Sequence, residues 1–412
     1  MIKIGVIKEY KKPFDSRCPI TPSQSKKLND SKDFSVSIQE SDIRCFSDEE
    51  YLSKNVEVCE NLNHCDVIIG IKEIPTNKLL KNKTYIIFSH TIKKQKHNRS
   101  LLREIISKKI KLIDYECLTK NNRRVIAFGK YAGIAGAYNS LMGYGIKNGN
   151  FKLKRLNKFH SVKRLYNQNR KLKIREPFKV LLTGTGQVSK GSEELLKSFK
   201  IKKISVQDFL KKRFKIPTYT VVSSSNYYEH KNKKEFKRND FYSNPENYIS
   251  TFKKFIPETD ILINGTFWNP NSPRLFEENQ LNKNFKIKVI GDITCDINGS
   301  IPCTKFASSI EEPFFDYCLK EKKIKKAFSS EEGITMMSID NLASELPRDS
   351  SEYFGQKLIS EVLPLLLEDN DSVIERATIT MDGKLLKRYS YLEDYINSVS
   401  YTHLTLPTIV GV

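Results

Sequence analysis

Three short apolar runs each end in side chains able to move a proton. Asp66-Val-Ile-Ile-Gly-Ile runs into Lys72 and Glu73, Tyr85-Ile-Ile-Phe-Ser runs into His90 with Lys93 beyond, and Ile110-Lys-Leu-Ile runs into Asp114 and Glu116. Amine, imidazole and carboxylate can take, hold and return protons near neutral pH when burial or neighbouring charge tunes them. A single histidine after a strand is usually structural, and a single Lys-Glu pair usually lies on the surface. Three endings of one kind in succession point instead to a site. A second group begins where Val180-Leu-Leu-Thr183 meets Gly184-Thr-Gly186, followed by Gln187, Val188 and an amphipathic run through Leu195 and Leu196. Glycines there let the backbone approach a pyrophosphate, and a helix start offers unpaired N–H groups to its charge. The third glycine of G-x-G-x-x-G is replaced by Ser189, so a buried strand with a glycine turn remains the plain alternative.

Such groups meet only if particular elements carry them. In a parallel sheet the C-terminal strand ends share one edge, and Lys72, Glu73, His90 and Glu116 are expected to converge there. Residues 2–7 read as the first strand and Phe34–Gln39 as another. Between them a charged, proline-rich loop from Lys8 to Pro22 reads equally as a ligand loop or an exposed basic turn. Thr21-Pro22 looks like a helix start. After Arg123 and Arg124, small residues from Ala132 to Ala137 enter a helix ending near Gly145; they suit close packing or approach to a ligand. Residues 150–176 read as a linker. Beyond the glycine turn, Ile201–Val206 is expected to be the second strand of a nucleotide-binding fold. Asp208 then falls where the motif places its ribose-binding acid, unless it opens a helix. Residues 211–256, rich in Lys, Asn, Ser and Tyr, read as an insertion or surface excursion. Asp260–Trp268 and Ile287–Asp296 are later strands of the same sheet, the second ending in Asp292 and Thr294. Ile334–Ile339 is a strand, and a helix is expected through Leu358, Val362, Leu365 and Leu366. Residues 399–412 have no place in this pattern and read as a non-native tail.

Bulk properties narrow the classes. The 412 residues are too many for one ordinary core, and 39% hydrophobic with 29% charged residues fit a globular protein. No run approaches the ~20 apolar residues of a membrane span, and the first apolar stretch is too short for a signal peptide. Eight cysteines without C-x-x-C suggest reduced thiols in the cytoplasm and no structural zinc; no metal is expected. The net charge of +22 admits a nucleic-acid partner, but the lysines are spread along the chain and fit solvated faces as well.

Taken together, Ile71-Lys-Glu-Ile-Pro75, Phe88-Ser-His90 with Lys93 and Gln95, the run Arg123 to Gly136, Ile290 to Asp296 and Ser338 to Asp349 resemble the lysine-forming saccharopine dehydrogenases. These lie within the wider alanine dehydrogenase and transhydrogenase family. The resemblance implies an α/β fold of two Rossmann-like domains with parallel sheets and an interdomain cleft. Residues 1–148 plus 340–398 would form the substrate domain and 149–339 the dinucleotide-binding domain. It implies NAD-dependent oxidation of saccharopine through an imine to L-lysine and 2-oxoglutarate. Lys72 matches the base on the substrate amine, and His90 the acid–base group for water and the carbinolamine. Glu73 and Glu116 match carboxylates that tune those two, while Arg17, Lys93, Arg123 and Arg124 match or adjoin positives for substrate carboxylates. Gly184, Gly186, Gln187, Val188, Asp208, Asp292 and Thr294 are the expected cofactor contacts, with NADP kept open by Lys211, Lys212 and Arg213 beside Asp208. An alanine dehydrogenase-like enzyme for another amino acid is the first alternative, and a non-catalytic basic nucleic-acid-binding protein the second.

Overall fold

The computed structural model describes residues 1–11, 15–121, 123–368 and 371–398. The expected tail over 399–412 therefore lies outside the described residues. The chain divides into two compact units, Met1–Ala127 together with the chain from Ser351 onward, and Phe128–Ser350.

In the first unit β1 (Ile2–Val6), β2 (Phe34–Gln39), β3 (Glu57–Cys59), β4 (Val67–Ile69), β5 (Thr84–Ile87) and β6 (Lys111–Asp114) are parallel. A hairpin follows, β7 (Thr119–Lys120) with β8 (Arg123–Arg124). Ile4, Val6, Ile68, Ile69, Ile86, Ile87, Leu112 and Ile113 are all fully buried. Strands covered on both faces must be apolar throughout, which is why these segments read as continuous runs rather than alternating ones.

The second unit holds β9 (Lys179–Thr183), β10 (Lys202–Lys203), β11 (Thr218–Val222), β14 (Ile261–Asn264), β15 (Val289–Asp292), β16 (Phe314–Cys318), β17 (Lys323–Lys326) and β18 (Ile334–Met337). Their order is β10-β11-β9-β14-β15-β18-β16-β17, with β16 antiparallel to both neighbours. β12 (Tyr228–His230) and β13 (Tyr248–Ser250) form a separate antiparallel pair. The chain then re-enters the first unit with β19 (Thr378–Met381) and β20 (Lys384–Leu385), both antiparallel, completing the order β20-β19-β6-β5-β4-β1-β2-β3.

Three sequence expectations change. The division falls at Ala127/Phe128 and Ser350/Ser351 rather than at 148 and 340. The cause is the helix Gly129–Asn148, which packs within the second unit. A Cβ on Gly133 would stand 1.9 Å from the Val188 carbonyl oxygen, and one on Gly191 1.9 Å from that of Lys130. The small residues therefore serve backbone-to-backbone packing of that helix on Gln187–Ser198. Secondly, the strand beside β9 is β11, from the segment read as a surface excursion, and β10 is the outer strand. That segment also buries Tyr227, Tyr228, Phe241, Tyr248, Phe252 and Phe255 in one aromatic core. Lastly, the expected helix through Leu366 breaks into a π turn, Leu358–Val362, and a 3-10 turn, Leu363–Leu366, at Pro364, which has no N–H to continue an α-helix.

Candidate active site

β6, β5, β4 and β1 are neighbours in that order, so the residues after Asp114, Ile87, Ile69 and Val6 emerge along one sheet edge. Adjacent strands stand about 4.8 Å apart, which brings side chains from successive ends within reach of each other. The His90 ring nitrogen Nδ1 lies 2.6 Å from Glu73 Oε1. Lys11 Nζ donates to both oxygens of Glu73, at 3.1 and 3.0 Å. Burial pushes the Glu73 carboxyl up, but the hydrogen bond and charge of His90, with Lys11, outweigh it and hold the group at about 2. An ionised Glu73 accepts from Nδ1–H, which leaves Nε2 as the nitrogen that can take a proton. Lys72, immediately before Glu73, is half-buried.

Further along the edge, Glu116 Oε1 accepts from Arg124 Nη2 at 2.9 Å and pairs with Lys93 Nζ at 3.3 Å. Its Oε2 is buried with no hydrogen-bond partner among the described residues. Arg123 and Arg124, both exposed on β8, line an open hollow of about 490 Å³ together with Lys120, Lys357 and Glu361. Arg17 is placed differently from its expected role. It is 3% exposed, and its Nε and Nη2 donate to Asp15 at 2.9 and 2.6 Å. The Arg17 guanidinium is thus buried and bound to Asp15.

Two buried acids hold these groups in place: Glu9, which the sequence did not single out, and Asp114, expected at a strand end but given no role. Glu9, after β1, accepts the Ile71 N–H at 2.6 Å and the Lys72 N–H at 2.9 Å. Asp114 accepts from the Ser89 N–H at 3.0 Å and from the Ser89 hydroxyl through Oδ2, and from the Glu116 N–H at 2.8 Å through Oδ1. His90 thus follows a tethered serine, with its backbone in the left-handed region at φ 52°. A signal for Glu9 was present: Lys8-Glu9 closes the first strand just as Lys72-Glu73 closes the fourth.

In the second unit the glycine turn is open. Gly184 has φ +91°, and nothing lies within 4 Å of a Cβ built on Gly186. The Ser189 hydroxyl donates to the Thr183 carbonyl at 2.8 Å, tying the strand end to the first turn of the helix Gln187–Ser198. Thr185, Gly186 and Gln187 are exposed and Val188 half-buried, so the backbone N–H groups of residues 185–188 fit a pyrophosphate, the Gly184 N–H being spent on the Val222 carbonyl. Two expected contacts are placed elsewhere. Asp208 lies in the first turn of the helix Val206–Lys211, paired with Lys212 at 2.8 Å. Its helix follows β10, the outer strand, and β11 lies between β10 and β9. The adjacent strand β11 ends instead in Ser223-Ser224-Ser225. Asp292 is fully buried and accepts from the Thr304 and Thr294 hydroxyls at 2.6 and 2.7 Å and from Asn264 at 3.0 Å. It braces the strand ends, and Thr294 is bound up with it.

Among the described residues one group of metal-ligand type occurs, Glu57, Cys59 and His64, with its ligand atoms within 4.8 Å of one another. It lies at the outer strand β3, three strands from β4. No helix among the described residues is long and apolar enough to cross a membrane.

Residues 5–135 match the family model of the alanine dehydrogenase/PNT N-terminal domain. Over 92% of its length the chain is 30% identical to the mitochondrial alpha-aminoadipic semialdehyde synthase of Rattus norvegicus, covering 46% of that protein. The chain thus spans about half the length of these semialdehyde synthases. It is 26% identical to saccharopine dehydrogenase [NAD(+), L-lysine-forming] of Yarrowia lipolytica, over 91% of this chain and 96% of the relative. Among solved structures, an L-alanine dehydrogenase superposes with TM-score 0.63 at 14% identity, covering 96% of this chain and all of that one. A transhydrogenase from Sinorhizobium meliloti gives 0.60 at 13% identity over 93% of this chain and all of its own. These two likenesses establish the two-domain, Rossmann-like α/β fold.

Proposed function

We propose that the chain is a relative of the lysine-forming saccharopine dehydrogenases within the alanine dehydrogenase and transhydrogenase family, and that it oxidises the secondary amine of saccharopine with NAD. Water then cleaves the resulting imine to L-lysine and 2-oxoglutarate. The observation that carries this reading is the row of four neighbouring strand ends in the first unit, which lines up Glu9, Lys72–Glu73, His90 and Glu116. Lys72 takes the proton of the substrate ammonium, so that the nitrogen lone pair can form the imine as hydride leaves the adjoining carbon. Nicotinamide, when bound, supplies the hydride acceptor. The Nε2 atom of His90 takes a proton from water as it adds to the imine carbon and returns one to the departing lysine amine. Glu73 holds the ring in that tautomer and balances its positive charge. Lys93, Arg123 and Arg124 offer cations to substrate carboxylates, and charge-assisted bonds to such groups are strong and directional. Backbone N–H groups of residues 185–188 hold the pyrophosphate.

Several cations on one edge suit a substrate with three carboxylates better than alanine, which has one. The eight free cysteines fit a reducing compartment, the cytoplasm in this reading. Following NADH formation with saccharopine and with alanine separately tests the assignment. Turnover of saccharopine is expected; turnover of alanine alone would replace the reading with the alanine dehydrogenase one. Lys72→Met and His90→Gln should each lower kcat by roughly 10²–10⁴, the usual worth of a positioned proton-transfer group.

A further inference from the structure

We propose that Glu9 is a positioning residue for Lys72, its buried carboxylate ordering the turn after β4 and through it the Lys72 amine; this rests on the role proposed above for Lys72. The ladder between β4 and β5 stops at Ile69. Beyond it, Gly70 N–H reaches Ile86 O at 3.3 Å, and Ile71 O accepts from Phe88 N–H at 3.0 Å. The next two N–H groups, of Ile71 and Lys72, both donate to the carboxylate of Glu9. One side chain from the neighbouring strand end thus replaces the missing ladder at the residue whose amine must be aimed. Gly70 permits the approach, since a Cβ there would stand 2.8 Å from Ile7 Cγ2 and 3.5 Å from Glu9 Oε1.

The charged and titratable groups facing Glu9 are Asp15, Arg17 and Tyr115. Asp15 and Arg17 are bound to each other, and the Tyr115 hydroxyl is buried without a hydrogen-bond partner among the described residues. Burial, with the Asp15 charge, raises the Glu9 carboxyl to about 7 against the two N–H bonds and Arg17. An ionised carboxylate accepts fully through both oxygens, whereas protonation turns one oxygen into an O–H donor that faces an N–H donor. The turn is therefore held firmly above neutral pH and loosened below it, giving the reaction an acid-side dependence that belongs to neither Lys72 nor His90.

Glu9→Gln keeps the size and removes the second acceptor. Saccharopine oxidation is expected to lose roughly 10- to 10²-fold in kcat with little change in KM, as misplacement of a reacting group does. The acid-side inflection near pH 7 should vanish, whereas Glu9→Asp retains it at a reduced rate. Amide hydrogen exchange at Ile71 and Lys72 should quicken in Glu9→Gln while the core of β4 stays protected. Wild-type kcat and pH profile in Glu9→Gln would overturn the proposal, as would unchanged exchange at those two amides. If the variant unfolds globally, Glu9→Asp decides it, because a purely structural role would leave its kcat at the wild-type value. Failure of the wild-type protein to oxidise saccharopine would overturn the functional reading instead, and the exchange measurement would still judge Glu9.

Discussion

His90 keeps a backbone conformation that histidines seldom adopt, and its neighbours hold it there: Glu73 through the ring and Asp114 through Ser89. Asp114→Asn keeps the shape but supplies an N–H where one acceptor oxygen stood. It is expected to lower kcat for saccharopine about tenfold or more, because both the Ser89 and Glu116 tethers lose their ionic acceptor. Wild-type kcat in that variant would show the tether is dispensable. Glu345, in the second unit, allows a separate test by pH. Burial raises its carboxyl from 4.5 to about 7, against the hydrogen bond it accepts from Asn139. Between those values the folded chain holds a proton that the unfolded chain has released. The stability contributed is complete below 4.5 and is lost as pH rises through about 7. The thermal midpoint should therefore fall from pH 5 to pH 8 less steeply in Glu345→Gln than in the wild type.

Among the elements, the pair of helices Gly129–Asn148 and Gln187–Ser198 sets the frame of the glycine turn. Each of Gly133 and Gly191 faces backbone of the other helix, so an added methyl has no side chain to push aside. Gly133→Ala should force the helices apart, at about 1–3 kcal/mol or more of stability, and weaken NADH binding. Denaturant unfolding and NADH titration would measure both. Strand order carries the other prediction at this scale. Asp208, in the helix that follows the outer strand β10 and paired with Lys212, should matter little to the cofactor. Asp208→Asn is expected to change KM for NAD by no more than about twofold, within the ~0.5 kcal/mol of an ordinary surface change. A large rise in KM would return the ribose to Asp208.

For the whole molecule, the charge of +22 is the property that most suggests another function. Part of it is used locally: Lys11 on Glu73, Lys93 and Arg124 on Glu116, Lys179 on Glu258, Lys203 on Glu193. Many other lysines are exposed and spread along the chain. A fluorescent oligonucleotide should therefore show no binding at about 0.15 M salt, where weak phosphate contacts are lost, while NADH binds under the same conditions. Tight oligonucleotide binding there would revive the nucleic-acid reading.

The strand ends that bear chemistry are legible in the amino-acid order alone. Parallel strands buried on both faces must be apolar, so Lys72, Glu73, His90 and Glu116 are visible among the polar residues that close each run. The glycine turn is legible for the same local reason. Neighbour relations were decided only in three dimensions. No local pattern says that β11 rather than β10 lies against β9, or that the helix Gly129–Asn148 packs with the second unit. Nor does one say that Arg17 is already bound to Asp15, or that Glu9 reaches across to the Lys72 backbone. Periodicity reports which way a side chain faces along its own strand. Which partner it meets depends on the pairing of segments tens of residues apart, and that is settled by how the whole set of strands and helices can bury its apolar surface at once.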